Sequence, residues 1–250
     1  MYEIIKNNDF ESFYKTFQEK PLIKFLGEIK NYLNYRTYYK INSDGTVKEK
    51  DFNLSLIKLI LLKDFRNKEN IKEFFENGIL FSENQKLKKI NRLSNLNIED
   101  LDKNLYKIYH NRDLPYALKY TKEYFLKDKE KLKKKLVQYI LLDRVESKKA
   151  LVLIAMFELM NHIKDDEDLD TVLHIFLNYI VTYPSIFYWD KFQGELQDMD
   201  LYALAYKKNI DYLGTNHDFE IKLNSYRVHK NFSKIDELLY NYLGGNYELY

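Results

Sequence analysis

Leu22-Ile23-Lys24-Phe25-Leu26-Gly27-Glu28-Ile29-Lys30-Asn31-Tyr32-Leu33 carries apolar side chains at Leu22, Phe25, Leu26, Ile29 and Leu33. Steps of three and four residues put them on one face of an α-helix, and the spacing predicts a helix from Leu22 to about Tyr39. The same spacing recurs along almost the whole chain, while two-residue alternation of useful length is missing. Only 7 glycines and 3 prolines interrupt 250 residues, so few positions break a helix. The pattern predicts an all-α protein of antiparallel helix pairs, stacked as an irregular α-solenoid or a helical bundle. No clean repeat period appears. A minor strand pair around residues 38–47 is the only β-structure the pattern admits.

Working outward, Asp9 is placed to cap a helix carrying Phe10, Phe13, Tyr14 and Phe17, and Pro21 ends it or starts the next. Asn42-Ser43-Asp44-Gly45 is the clearest turn. Helices are expected at 52–65, 68–76, 82–93 and 97–110, with a turn at Asn77-Gly78. The second half is more regular, with helices at 114–125, 128–142, 147–162, 169–183, 190–209, 217–228 and 233–243, the first opening on Pro115. Residues 1–250 read as one helical domain. A subdivision into 1–112 and 113–250 at Asn111-Arg112-Asp113 is the other reading, although no flexible linker marks it.

Cysteine is absent, which excludes disulfides, thiolate catalysis, Cys-type zinc sites and iron–sulfur clusters. The runs at 151–157 and 56–62 are too short to span a bilayer. Met1-Tyr2-Glu3-Ile4-Ile5-Lys6 lacks a basic region leading into an apolar one, so no secretory signal is expected. A soluble, cytoplasmic protein without membrane contact is the expectation.

No Gly-x-Ser-x-Gly elbow, Gly-x-Gly-x-x-Gly turn or phosphate-cradling Gly-x-x-x-x-Gly-Lys-Ser/Thr loop occurs, and Gly244-Gly245 reads as a helix stop. No catalytic residue and no cofactor is assigned. Asp198 and Asp200 typify carboxylate pairs that could do acid–base work, which keeps an enzyme without a recognisable motif as one alternative. Histidine occurs at His110, His162, His174, His217 and His229. His162 and Asp166 lie one helical turn apart, but no His-x-x-x-His supplies a third ligand, so no metal site is expected. The run Asp165-Asp166-Glu167-Asp168 reads instead as a connection in which Asp168 or a neighbour caps a helix beginning at Leu169.

The net charge of +2 conceals a segregation. Residues 119–149 hold ten lysines and total about +6, whereas residues 161–200 hold nine acids against Lys164 and Lys191, a net −7. The lysines could track phosphates, making a nucleic-acid-associated protein a further alternative, but lysine reads base edges poorly. The acidic stretch adjoins Tyr183-Pro184-Ser185-Ile186-Phe187-Tyr188-Trp189-Asp190, which holds the only tryptophan. Aromatic anchors beside fixed carboxylates suit a basic protein partner. Tyr188, Trp189, Asp190, Glu195, Asp198 and Asp200 are the candidate partner-binding residues. Trp189 reads either as an interface anchor or as a plug between two helices.

Between residues 169 and 215, Leu173 to Tyr179, Tyr183-Pro184, Tyr188, Asp190, Tyr202-Ala203-Leu204, Asp211 and Gly214-Thr215 resemble a family of uncharacterised bacterial helical proteins. In that family a helix leads into a proline–aromatic–aspartate loop, followed by an Ala-Leu helix. Where the family has a small-residue helix, this chain has the bulkier run 151–157. The resemblance implies a HEAT-like helical stack without assigned chemistry. In size and lysine content the chain also resembles bacterial immunity proteins. That likeness implies a non-enzymatic module that neutralises a toxin by occlusion, with a basic toxin domain as its partner.

Overall fold

The computed structural model describes residues 1–35, 38–41, 43–44, 47–50, 53–81, 93–141, 148–182, 200–213 and 234–244. The fold is all-α, a bundle of helices packed on one another, with one hairpin among the described residues. Among the described residues the helices are α1 (Tyr2–Lys6), α2 (Phe10–Glu19), α3 (Leu22–Ile29), α4 (Ser55–Leu61), α5 (Lys68–Gly78) and α6 (Ile98–His110). They continue with α7 (Leu114–Lys127), α8 (Lys129–Leu141), α9 (Lys149–Met160), α10 (Asp166–Thr182), α11 (Asp200–Leu213) and α12 (Lys234–Tyr242). A turn of 3-10 helix, Lys63–Phe65, follows α4.

Six helix starts share one device. The carboxylate or amide of Asp9, Asn67, Asn97, Asp113, Asp128 and Asp165 accepts a hydrogen bond from the backbone N–H three residues on, at 2.8–3.3 Å. Each satisfies a donor that the first turn leaves without a helical partner. Pro21 precedes α3, and Pro115 sits in the first turn of α7, where its missing N–H costs nothing.

Helix α3 is shorter than its apolar spacing predicts. It stops at Ile29, and the chain then pairs with the end of α5. Asn34 N–H donates to the Gly78 carbonyl at 2.8 Å and Leu80 N–H to the Tyr32 carbonyl at 2.6 Å, around a Leu33–Ile79 bridge. These long-range bonds replace the helical ones. Tyr38–Ile41 (β1) then pairs antiparallel with Val47–Lys50 (β2), Tyr38 opposite Lys50 and Ile41 opposite Val47. The strand pair admitted by the sequence is thus present, and Ser43-Asp44 lies in its turn. Helix α5 runs on through Gly78, where a Cβ would stand 2.7 Å from the Phe74 ring, so the turn at Asn77-Gly78 comes later than expected. Helix α10 starts at Asp166 rather than Leu169, because Asp165 and not Asp168 caps it. The helices expected at 82–93 and 217–228 lie outside the described residues, apart from Leu93.

Helices α9 and α10 are central. Ten of the twelve residues of α9 are buried, so it is apolar on all sides rather than amphipathic. Helix α9 packs on α4, α8, α10 and α11, and α10 packs on α3, α7 and α9. Helices from before Arg112 therefore share one hydrophobic core with helices that follow it.

Candidate functional site

Of the candidate partner-binding residues, Tyr188, Trp189, Asp190, Glu195 and Asp198 lie outside the described residues, and Asp200 opens α11. What is described is how this segment is rooted. Helix α10 delivers it from the buried Ile180 and Val181, and α11 receives it with Leu201, Ala203, Leu204, Ala205 and Tyr206, all buried. The Tyr206 hydroxyl donates to the Leu141 carbonyl at 2.6 Å, and Asn209 Nδ2 donates to the Ala150 carbonyl at 3.2 Å. Helix α11 is thereby tied to α8 and α9.

Of the upstream acids, Asp165, Asp166 and Glu167 are exposed, and several of the group pair with lysines of other helices. Lys24 of α3 lies 2.7 Å from Asp165 and 2.8 Å from Asp168, and the Asp168 side chain is only 1% exposed. Lys122 of α7, 7% exposed, lies 2.7 Å from Asp170 and 3.4 Å from Asp166. Two lysines from different helices thus clamp the acidic start of α10. Hydrogen bonds to Lys24 and to the Asp168 backbone hold the Asp165 carboxyl below the usual range, and hydrogen bonds to Asp165 and Asp168 push Lys24 up. Capping explains part of the acid run. Clamping explains more of it, and both lysines are distant in sequence.

The lysine-rich stretch is likewise committed inward at most of its length. Besides Lys122, Lys127 bonds Glu123 at 3.0 Å and the Leu96 carbonyl, and Lys129 donates to the Met160 carbonyl at the end of α9 at 3.1 Å. Lys133 pairs with Glu130 at 3.1 Å and sits 5.7 and 5.8 Å from the Phe157 and Tyr212 ring centres. Lys135 reaches Asp102 at 3.3 Å, and the buried Lys149 lies over Tyr139. Their alkyl stems fill gaps between helices while the ammonium groups find carboxylates, carbonyls and rings. Lys131 and Lys134 remain exposed.

One polar seam passes through the core. Along the contact of α3 with α10, a Cβ on Gly27 would lie 3.3 Å from Thr171 Oγ1, and Lys30 Nζ donates to that same oxygen at 3.0 Å. Farther on, the Tyr35 ring meets His174 edge-on at 6.1 Å and Tyr179 at 4.9 Å. His174, 6% exposed, lies with its Nε2 3.0 Å from Asn178 Nδ2, an arrangement in which the neutral ring accepts. Burial, helped by the Lys30 cation, pushes His174 down to about 4. Burial pushes the Tyr35 and Tyr179 phenols up. A second network links α6, α7 and α8. The Tyr124 hydroxyl donates to Asp102 beside Lys135, Tyr109 and Thr121 share a 2.5 Å hydrogen bond, and the buried Glu123 accepts from Ser94. Burial pushes the Tyr124 and Tyr109 phenols up, so both stay protonated at neutral pH. In the sequence, the signal of this buried polar contact is one polar ring, His174, inside the apolar run Leu173–Leu177.

His162 does not join Asp166. It lies 3.7 Å from Glu158, while Asp166 faces Lys122. Among the described residues, no group of three or more histidines and carboxylates could hold a metal ion, and no helix is long and apolar enough to cross a membrane. His217 and His229 lie outside the described residues. No protein-family model, curated protein or solved structure matches the chain.

Proposed function

We propose that this chain is a non-enzymatic protein-binding module, an immunity- or antitoxin-type protein that neutralises a basic toxin domain by occlusion. The carrying observation is the division of its charges. The lysines of residues 119–149 are mostly taken up by partners within the fold, as are the acids at 165–170. The run 190–200 brings four carboxylates and one lysine beside the only tryptophan, between two helices anchored in the core. Clustered carboxylates suit the cationic cleft of a nucleic-acid-cleaving protein, since they speed encounter and match its charge. The cysteine-free composition accords with action in the cytoplasm.

Co-expression with the product of the adjacent gene tests the reading. A stable complex is expected, and Glu195→Lys with Asp198→Lys should slow its association and flatten its salt dependence while leaving the fold intact. Trp189→Ala should mainly speed dissociation. Unchanged association and salt dependence in the double variant would refute the surface. Binding to DNA or RNA that weakens by several decades between about 50 and 200 mM salt would replace this function with a nucleic-acid one.

A further inference from the structure

The segment 30–35, between α3 and the hairpin, lies against one side of α10. Lys30 Nζ donates to Thr171 Oγ1 at 3.0 Å. The Tyr35 ring packs edge-on against His174 at 6.1 Å and tilted against Tyr179 at 4.9 Å, and its hydroxyl donates to the Lys30 carbonyl at 3.1 Å. His174 sits at the rim of the core. It is 6% exposed, whereas Val172, Leu173, Ile175, Phe176 and Leu177 around it in sequence are 0% exposed. A local movement of the segment is then enough to bring water to the ring.

Asn178 decides which form of the imidazole fits. Its Nδ2 donates to the His174 backbone carbonyl at 2.8 Å. A carbonyl only accepts, so the atom held there is the amide nitrogen and not the amide oxygen. The same nitrogen stands 3.0 Å from His174 Nε2, which must therefore accept, and only the neutral ring can do so. Protonation would set N–H against N–H. Turning the Asn178 amide over would satisfy the imidazolium but set the amide oxygen against the backbone carbonyl. Neither orientation suits the charged ring. The titratable groups beside the ring are Lys30, a like charge held one turn away at Thr171, then Tyr35 and, behind it, Tyr179. On the helices packed against α10, charged and phenolic groups are engaged elsewhere. Lys24 of α3 meets Asp165 and Asp168, and Lys122 of α7 meets Asp170. On α9, Lys149 lies over Tyr139 and Glu158 pairs with His162. On α6, Tyr109 bonds Thr121 and Asp102 meets Lys135.

We propose that His174 and Asn178 form an acid-operated latch: protonation of the imidazole drives the ring off Asn178 and releases residues 30–35 from α10 while the rest of the core stays folded. Thiol labelling tests the release, because the chain has no cysteine of its own. Leu33→Cys places a thiol in the segment, where Leu33 is 2% exposed, and Leu153→Cys places one inside α9, where Leu153 is 0% exposed. Labelling rates are divided by those of the same thiols in the urea-unfolded chain at each pH. The ring titrates near 6.5 when free and at about 4 in place, so opening at Leu33→Cys should become about twentyfold more frequent between pH 7 and 5. That opening should not depend on low concentrations of urea, whereas labelling of Leu153→Cys should be slower and urea-dependent, as global unfolding requires. Added His174→Gln, whose side chain accepts but does not titrate, should cancel the acid effect. Labelling of the two thiols at the same rate with the same urea dependence at pH 5 would overturn the proposal, as would an acid effect that survives His174→Gln. A second measurement needs no cysteine. The carbon-13 signal of the His174 ring reports its own titration, and Asn178→Ala, which removes the opposing donor, should move that titration toward the ordinary histidine value. Coincident titrations in the two proteins would show that Asn178 does not oppose the charged ring and would likewise overturn the latch.

Discussion

Lowering the pH from 7 to 5 should destabilise this protein through His174. In the unfolded chain the imidazole titrates near 6.5, whereas in the fold it is pushed down to about 4. Burial is the main cause and the Lys30 cation adds to it, while the ring faces Tyr35 and Asn178. Because the folded value is the lower one, the unfolded chain binds more protons between these two values. Stability is then fully present above about 6.5, falls as the pH drops through the window, and levels off below about 4. At about 1.4 kcal/mol per pH unit, the whole effect is about 3 kcal/mol, of which about 2 kcal/mol is lost between pH 7 and 5. Urea unfolding followed by far-ultraviolet circular dichroism measures it, with His174→Gln as the comparison. Glutamine does not titrate, so the variant should begin less stable at pH 7 and lose much less on acidification. Parallel pH profiles for the two proteins over this range would refute the assignment.

Lys122→Met should cost about 1–2 kcal/mol in urea unfolding, because it leaves Asp170 and Asp166 without the cation that clamps them to α7; an unchanged midpoint would contradict this. The exposed pair Lys15–Glu19, 3.9 Å apart, should contribute less than about 0.5 kcal/mol in a double-mutant cycle. Gly78→Ala should destabilise by about 1–3 kcal/mol, since the new Cβ would meet the buried Phe74 ring at 2.7 Å, and Phe74→Leu should relieve part of that loss. Circular dichroism of the full chain should be dominated by helix, and a strand content above about a fifth would contradict the fold.

Much of the helical pattern was legible because helix formation is largely a local matter. Asp9, three residues before Ser12, and Pro115 in a first turn announce α2 and α7 through contacts within one helical turn. The run 151–157 likewise announces a helix buried on every side. What the sequence could not show is where a local preference loses to a distant bond. The apolar spacing continues past Ile29, yet the chain leaves the helix there because Tyr32 and Asn34 bond to residues at the end of α5.

The pairing of charges was illegible for the same reason. On the sequence, residues 165–170 and 119–149 form an acidic block and a basic block, and both look like surfaces. Folding brings Lys24 to Asp165 and Asp168 across 141 and 144 positions, and Lys122 to Asp170 across 48, so that part of each block is paired within the molecule. Composition and periodicity determined by themselves that this chain would be an all-α, cysteine-free helical body. Only the tertiary structure decided which of its charges meet one another, because ion pairing depends on distance in space, and a local sequence pattern does not encode that distance.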